Sequence, residues 1–273
     1  MRLLFLGDLV GRSGRDAALA EVPRLRAALG VDFCVVNGEN AAGGFGITDK
    51  ICKSLYEVGV DAITTGNHVW DQRELMSTID ADPRLVRPAN FPPGTPGKGT
   101  RVFQLAGGRR IVVVNVMLRL FMDALDDPFQ VMDRELAGRS LGNSAAAILV
   151  DVHGEATSEK MAMGHFLDGR ASLVVGTHSH VPTADAQILP KGTAYLSDAG
   201  MCGDYDSVIG MQKEAALHRF TRKLPGERLT PAEGPATVCG VFVETDDATG
   251  LAKSVSPIRV GGRLQPAWPP DPG

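Results

Sequence analysis

Apolar residues recur along this chain in short runs: "RLLFLG", "DFCVVN", "DAITT", "RIVVVNVM", "AAILVDV", "SLVVGT" and "TVCGVFVET". Most are too short for helices and rich in β-branched side chains, which suit a pleated surface, so they predict buried strands. Between the early runs the spacing becomes helical, from Asp16 to Leu29 before Gly30 and from Thr48 to Val58 before Gly59. Thr48 stands where an N-cap belongs and Gly59 where a left-handed residue ends a helix. Alternating strand and helix predict βαβ units with parallel strands, whereas "VFQLAGGRRIVVVNV" and "VFVETDDATGLAKSVSPIRV" carry the Gly-rich and Asp-rich turns of hairpins. The pattern therefore predicts an α/β fold with mixed sheets.

The alternation is interrupted between residues 117 and 142. Met117, Phe121, Leu125, Phe129 and Met132 recur at nearly helical spacing and "DDP" breaks the run, which predicts a helical insertion of one or two short helices. Such a segment packs on the core, covers a site as a flap, or contacts another subunit of a homo-oligomer; the pattern leaves these open. No internal repeat, low-complexity block or long linker divides the chain, so residues 1–273 are expected to form a single domain. "NFPPGTPGKG" reads as a surface loop and "PAWPPDPG" as a frayed tail.

Composition narrows the classes of function. The 273 residues are 44% hydrophobic and 22% charged, ordinary for a globular protein with a large core. A formal charge of −4, with no basic run longer than "GRR", argues against polymeric nucleic acid as the main partner and against a membrane-binding helix. The opening "MRLLFLGDLVG" is interrupted by Asp8 too soon for a signal peptide or a spanning helix, so a cytoplasmic location is expected. Cys34, Cys52, Cys202 and Cys239 stand far apart with no CxxC pair, which argues against a thiolate zinc site and a disulfide framework. Cys34 and Cys239 read as small buried hydrophobes.

Polar clusters end five of the predicted strands: Asp8 in "FLGDLVG", Glu39 and Asn40 in "VVNGEN", Asn67 and His68 in "GNHVWD", His153 in "LVDVHGE", and His178 with His180 in "VVGTHSH". Taken singly, each has an innocuous role as a cap, a turn residue, an exposed carboxylate or a core histidine. Taken together, they stand at the carboxyl ends of strands, where open α/β sheets bind ligands. Two carboxylates, two amides and, besides His68, three imidazoles without thiolate suit iron, manganese or zinc rather than calcium or an iron–sulfur cluster. Seven such ligands exceed one four-coordinate zinc and fit two metals that share a carboxylate and a water-derived bridge, with Glu39 as the natural carboxylate. Two divalent ions, offset by Asp8, Glu39 and a bridging hydroxide, leave a net positive site that attracts an anionic phosphoester.

The strings "GD", "NGEN", "GNHVWD", "VHGE" and "GTHSH" resemble the calcineurin-like metallophosphoesterases. The longer strings "GDLVGRSGR", "NGENAAGGFGIT", "DDPF", "GTHSHVPTAD" and "DAGMCGDYDSVIG" resemble the YmdB-type bacterial phosphodiesterases among them, from Met1 to about Gly210 and more weakly beyond. This resemblance implies a four-layer α/β/β/α sandwich with a two-metal site at its edge. It implies that Asp8, Asn40 and His180 hold one metal, that Asn67, His153 and His178 hold the other, and that Glu39 holds both. The broad superfamily begins with Asp-x-His, but this chain has Asp8-Leu9-Val10, and the YmdB-type pattern implies Asn40 as the substitute. Glu39 replaces the usual Asp with a longer reach. An amide oxygen in place of an imidazole weakens that metal's hold and shifts selectivity toward iron or manganese, with zinc less favoured.

His68 is left without a metal and is expected to face the substrate, where it protonates a leaving oxygen or hydrogen-bonds the phosphoryl group. Asp71 either orients His68 or caps the helix "DQRELMSTI". "GRSGR" lacks the spacing of a P-loop and reads as a strand-to-helix turn, and the glycines of "AAGGFGIT" either approach substrate or simply turn the chain. His165 and His218 read as structural. The resemblance implies 2′,3′-cyclic nucleotides as the substrates of a dinuclear diesterase that works by in-line attack of a metal-bridging hydroxide. A phosphomonoesterase, and a regulatory protein whose metals are structural, are the alternatives.

Overall fold

Strands and helices follow one another largely as the apolar pattern predicts. The computed structural model describes residues 1–222, 224 and 226–270. β1 (Arg2–Leu6) and β2 (Asp8–Leu9) lead into α1 (Gly11–Leu29), β3 (Phe33–Asn37), α2 (Asp49–Glu57) and β4 (Ala62–Thr64). A short α3 (Leu75–Thr78) precedes β5 (Leu85–Val86), the hairpin of β6 (Thr100–Gln104) and β7 (Arg110–Met117), and α4 (Pro128–Leu136). β8 (Ala147–His153), α5 (Thr157–Phe166) and β9 (Leu173–Thr177) follow, then β10 (Gln187–Ile188), β11 (Ala194–Leu196) and β12 (Met201–Asp204). The chain continues through α6 (Lys213–Arg222) to a long hairpin of β13 (Ala236–Thr245) and β14 (Ala252–Val260).

Two mixed sheets result. In the first, β1, β3, β4 and β5 run parallel, β13 joins β1 antiparallel, β12 and β14 pair with β13, and β2 pairs with β12. In the second, β7, β8, β9 and β11 run parallel between antiparallel edge strands β6 and β10.

Side chains on a strand alternate between its two faces, and here both faces are covered. Leu3, Phe5, Phe33 and Val35 meet Ile111, Val113, Leu149 and Val175 of the opposite sheet. Their neighbours Leu4, Leu6, Cys34 and Val36 pack under Val22 and Leu25 of α1 and Leu55 of α2. On the far side, Val112, Val114, Ile148 and Val150 meet Met132 of α4 and Met163 of α5. Three apolar layers thus lie between helices, sheet, sheet and helices, giving the four-layer α/β/β/α sandwich. Burial on both faces is why the strands read as continuous apolar runs. All four cysteines are free and buried. No helix among the described residues is long and apolar enough to cross a membrane.

Several local expectations are corrected. The first helix begins at Gly11, so "GRSGR" is its opening turn rather than a separate connection. Gly14 permits this, because a Cβ there would collide with the carbonyl oxygen of Cys202 on β12, and the helix could not lie so close. Thr48 caps α2 as expected, accepting from the N–H of Ile51 at 3.3 Å. The segment 117–142 holds a single helix, α4, and the residues between β7 and α4 are irregular. Asp127 caps α4 and Pro128 opens it, so "DDP" starts a helix instead of breaking one. The preceding N–H groups are satisfied elsewhere, those of Arg119 and Leu120 by the carboxylate of Glu159, which removes the need for a helix. Phe121, in helical register by its spacing, is 89% exposed with φ 63°. The tail is not frayed where it is described: Ala267 pairs through both its backbone groups with Arg259. Asp271 to Gly273 lie outside the described residues.

Candidate metal centre

Five of the parallel strands, β1, β3, β4, β8 and β9, end by handing polar side chains to the same edge. Asp8 opens β2, Glu39 and Asn40 lie in the turn after β3, and Asn67 and His68 lie in the turn after β4. His153 ends β8, and His178 and His180 follow β9. The structure gathers all eight. The Nε2 atom of His153 lies 2.8 Å from Asn67 Oδ1, 3.1 Å from Glu39 Oε1 and 3.2 Å from His178 Nδ1. On the other side of Glu39, Asp8 Oδ1 lies 3.8 Å from His180 Nε2. Donor atoms of Glu39, His153 and His178 fall within 4.8 Å of one another, as do those of Asp8, Glu39 and His180, so Glu39 belongs to both groups.

The donor set fits cations. Asp8 Oδ1 and Asn40 Oδ1 are buried without a hydrogen-bond partner, and such an orphan acceptor costs about 1–3 kcal/mol, while Glu39 Oε1 has only the imidazole of His153 beside it. Three such oxygens around one cavity are what positive ions would satisfy. Asn40 donates through Nδ2 to the Gly44 carbonyl at 2.9 Å, which fixes the amide so that Oδ1 is the free atom. Burial raises the pKa of Asp8 to about 7 against the pull of His180 and His153. Burial opposes charge on Glu39 and His153 as well, but their mutual attraction prevails, lowering the carboxyl and raising the imidazole. Burial and the neighbouring His153 push His178 down to about 3. Gly66 is sterically required: a Cβ would collide with Glu39 Oε2 and His153 Nε2.

Beneath the donors lies a polar floor that the motifs did not reveal. Alternation that places Val35, Leu149 and Val175 between the sheets puts Asn37, Asp151 and Thr177 there too, two residues further on. All three are fully buried. Asp151 accepts from Asn37 Nδ2 at 3.0 Å, Thr64 Oγ1 at 2.5 Å and Thr177 Oγ1 at 2.7 Å. Thr177 Oγ1 in turn meets His153 Nδ1 at 2.9 Å, which orients that ring with Nε2 toward Glu39.

The turn carrying His178 and His180 is strained, with φ of 97° and 66° at the two histidines. A buried ion pair holds it. Lys160 Nζ lies 2.7 Å from Asp198 Oδ2 and donates to the Thr177 carbonyl at 2.8 Å, while Asp198 accepts from the N–H groups of Ser179 and Gly200. Removing one charge leaves the other buried and unpaired, which typically costs about 3–5 kcal/mol. Asp198→Asn is expected to destabilise the fold by that order in urea denaturation and to weaken metal retention. A variant with unchanged midpoint and metal content would show that the pair does not hold the turn.

His68 is oriented by Asp71, whose Oδ2 lies 2.8 Å from His68 Nδ1. The helix begins only at Leu75, so Asp71 does not cap it. His68 also donates its backbone N–H to Glu39 Oε2 at 3.1 Å and sets its ring against Phe45, with centroids 5.0 Å apart. A cavity of about 230 Å³ opens on Glu39, Asn40, His68, His178 and His180. Glu155 also lines it, with Oε2 3.3 Å from His178 Nε2. The sequence motifs gave no role to Glu155, Phe45, Asp151, Lys160 or Asp198, although all but Lys160 fall inside the quoted strings. His165 and His218 lie on α5 and α6, outside this cluster.

Comparison with known proteins agrees with this architecture. A 2′,3′-cyclic-nucleotide 2′-phosphodiesterase of Bacillus subtilis (strain 168) is 50% identical over 260 residues, covering 95% of this chain and 97% of that protein. A putative phosphatase/phosphodiesterase of Mycoplasma pneumoniae is 34% identical, covering 95% of this chain and 93% of its own length. Among solved structures, a hypothetical protein from Thermus thermophilus superposes with a TM-score of 0.89 at 43% identity, covering 96% of this chain and all of that one. A structure described as a novel phosphatase of Mycoplasma pneumoniae superposes with a TM-score of 0.88 at 33% identity, over 96% of this chain and 93% of that one. The model of the YmdB-like protein family matches residues 4–258, and with that span and these identities the chain belongs to the YmdB-like family.

Proposed function

We propose that the protein is a metal-dependent phosphodiesterase that opens 2′,3′-cyclic nucleotides to nucleoside 3′-phosphates. The observation that carries this reading is Glu39, shared by two donor groups beside the partnerless buried oxygens of Asp8 and Asn40. The Bacillus subtilis relative bears the corresponding name. Asp8, Asn40 and His180 would hold one ion, Asn67, His153 and His178 the second, and Glu39 both. Iron or manganese suits this oxygen- and nitrogen-rich set better than zinc. Such ions, when bound, supply Lewis acidity that lowers the pKa of water and neutralises charge growing on the phosphoryl oxygens.

The protein's own groups do the rest. Buried Asp8 and Glu39 would hold the ions at one edge, where their positive charge would draw the substrate's phosphoryl group. The Thr177 and Asp151 hydrogen bonds keep the His153 ring from turning. Asp71 holds His68 at Nδ1, leaving Nε2 to deliver a proton. Water adds to phosphorus in line with the ester oxygen and gives up a proton to solvent, the bond from phosphorus to O2′ breaks, O2′ leaves with the electron pair and takes its proton from His68 Nε2, and His68 regains a proton from solvent.

Rates on 2′,3′-cyclic nucleotides, linear diesters and monoesters, measured with protein reconstituted with iron, manganese or zinc, test the proposal. The cyclic diesters are expected to turn over fastest. Faster turnover of monoesters would replace the diesterase with a phosphomonoesterase on the same centre, and no turnover with any metal would favour a regulatory protein.

A further inference from the structure

Part of the site cavity is apolar. Beside the proposed metal-binding groups it is lined by Phe45, Ile209, Met211 and Leu229. We infer that this wall is a nucleobase subsite, which holds the base by stacking and apolar contact without reading its hydrogen-bonding edge. The inference rests on the proposed phosphodiesterase reading, because it places the remainder of a nucleotide whose phosphate lies at the donors.

The wall is tied to the proposed ligands by their own remaining hydrogen bonds. Asn40 keeps Oδ1 free and uses Nδ2 to hold Gly44, next to Phe45. His180 meets the Ile209 carbonyl through Nδ1 at 2.8 Å, with Nε2 on the side of Asp8. Gln72 Nε2 donates to the Phe45 carbonyl at 2.8 Å, and Val208 and Met211 pair through their backbones at 2.9 and 3.0 Å. The two loops also touch, since a Cβ on Gly44 would stand 3.1 Å from the Met211 methyl. The apolar wall therefore has a fixed distance from the donors, as a subsite for a rigid ligand requires.

Ile209 adds a separate sign. It has φ 48°, unusual for a β-branched residue, and is 53% exposed at the mouth of the cavity. Both features are unfavourable in the free protein, and strain of this kind gathers at ligand clamps. A base laid against Phe45 and Ile209 would cover apolar surface that is otherwise wet. Since none of the four side chains can hydrogen-bond a base edge, discrimination follows stacking area: purines above pyrimidines, with little between adenine and guanine.

The test compares the metal-loaded protein on the 2′,3′-cyclic phosphates of adenosine, guanosine and cytidine with a base-free analogue, 1-deoxyribose 2,3-cyclic phosphate. Wild type is expected to rank adenosine and guanosine together, then cytidine, then the base-free ester. Phe45→Ala is expected to raise KM for the purine substrates about 5- to 100-fold, the span of aromatic–base stacking, and so collapse their advantage over the base-free ester. Phe45→Trp, which keeps an aromatic face, should restore it. Equal losses on all four substrates would make Phe45 a support for His68 and overturn the subsite, as would strong discrimination between adenine and guanine. If wild type hydrolyses none of these diesters, the phosphodiesterase reading fails by itself, and calorimetric binding then decides the subsite. Adenosine 3′-phosphate binding at least about fivefold tighter than inorganic phosphate, with the difference lost in Phe45→Ala, would support it; equal binding would overturn it.

Discussion

His68→Ala is expected to retain the fold and its metal ions yet lose ~10²–10⁴ in rate on a 2′,3′-cyclic nucleotide, the usual span of general acid catalysis. His68 lies in the cavity, is held by Asp71 at Nδ1, and is the imidazole of the cluster left over by the proposed ligand sets. The loss should depend on the leaving group. A ribose hydroxyl needs a proton to depart, whereas a nitrophenolate does not, so an activated aryl diester should retain much more of its rate. Asp71→Asn should give a smaller loss in the same direction, because it weakens the hydrogen bond that orients the ring but leaves the ring in the cavity. Equal losses on the cyclic and aryl esters would make His68 a binding group, and no loss on either would remove it from the chemistry.

The second large effect is expected at Glu39. Wild type should saturate with about two transition-metal ions per chain, as a shared-carboxylate site requires. Glu39→Ala removes the one donor common to both groups and should lose both ions and at least ~10³ in rate, if each ion contributes several kcal/mol to the transition state. Asn40→Ala should be milder, loosening one ion while the other stays, because Asn40 stands on the Asp8 side of the proposed scheme. Elemental analysis after reconstitution, with activity measured on the same samples, checks all three. Saturation of wild type at one ion, or two ions retained in Glu39→Ala, would dismantle the dinuclear scheme.

The residue pattern made much of the architecture legible. Runs such as "DFCVVN" and "RIVVVNVM" are strands because their side chains alternate onto two apolar layers, and both predicted hairpins form. Resemblance added what pattern could not, the four layers and the proposed division of the donors between two ions. Errors fell where satisfaction of the backbone was decided by distant side chains. Phe121 sits in helical register with Met117 and Leu125, yet Glu159 takes the N–H groups of Arg119 and Leu120 and the chain never enters a helix there. "GRSGR" looked like a turn because glycine disfavours helix, but close seating of α1 on β12 requires Gly14 and overrides that preference.

Local sequence, then, determined which face each strand residue occupies and which polar residues close the strands, since a period of two is a property of the chain itself. It could not determine which closing residues meet. That depends on sheet register, which sets Val152 beside Gly176 and His153 beside Thr177, and on the spacing of two sheets whose strands lie far apart in sequence. Only tertiary structure could place Asp151 under His153, pair Lys160 with Asp198 behind the strained histidine turn, choose Asp71 as the partner of His68, and set Phe45 and Ile209 in one cavity with the donors. The physical reason is range: alternation and capping act within a few residues, whereas a hydrogen bond requires atoms within about 3 Å, a condition that residues far apart in the chain meet only after the sheets have packed.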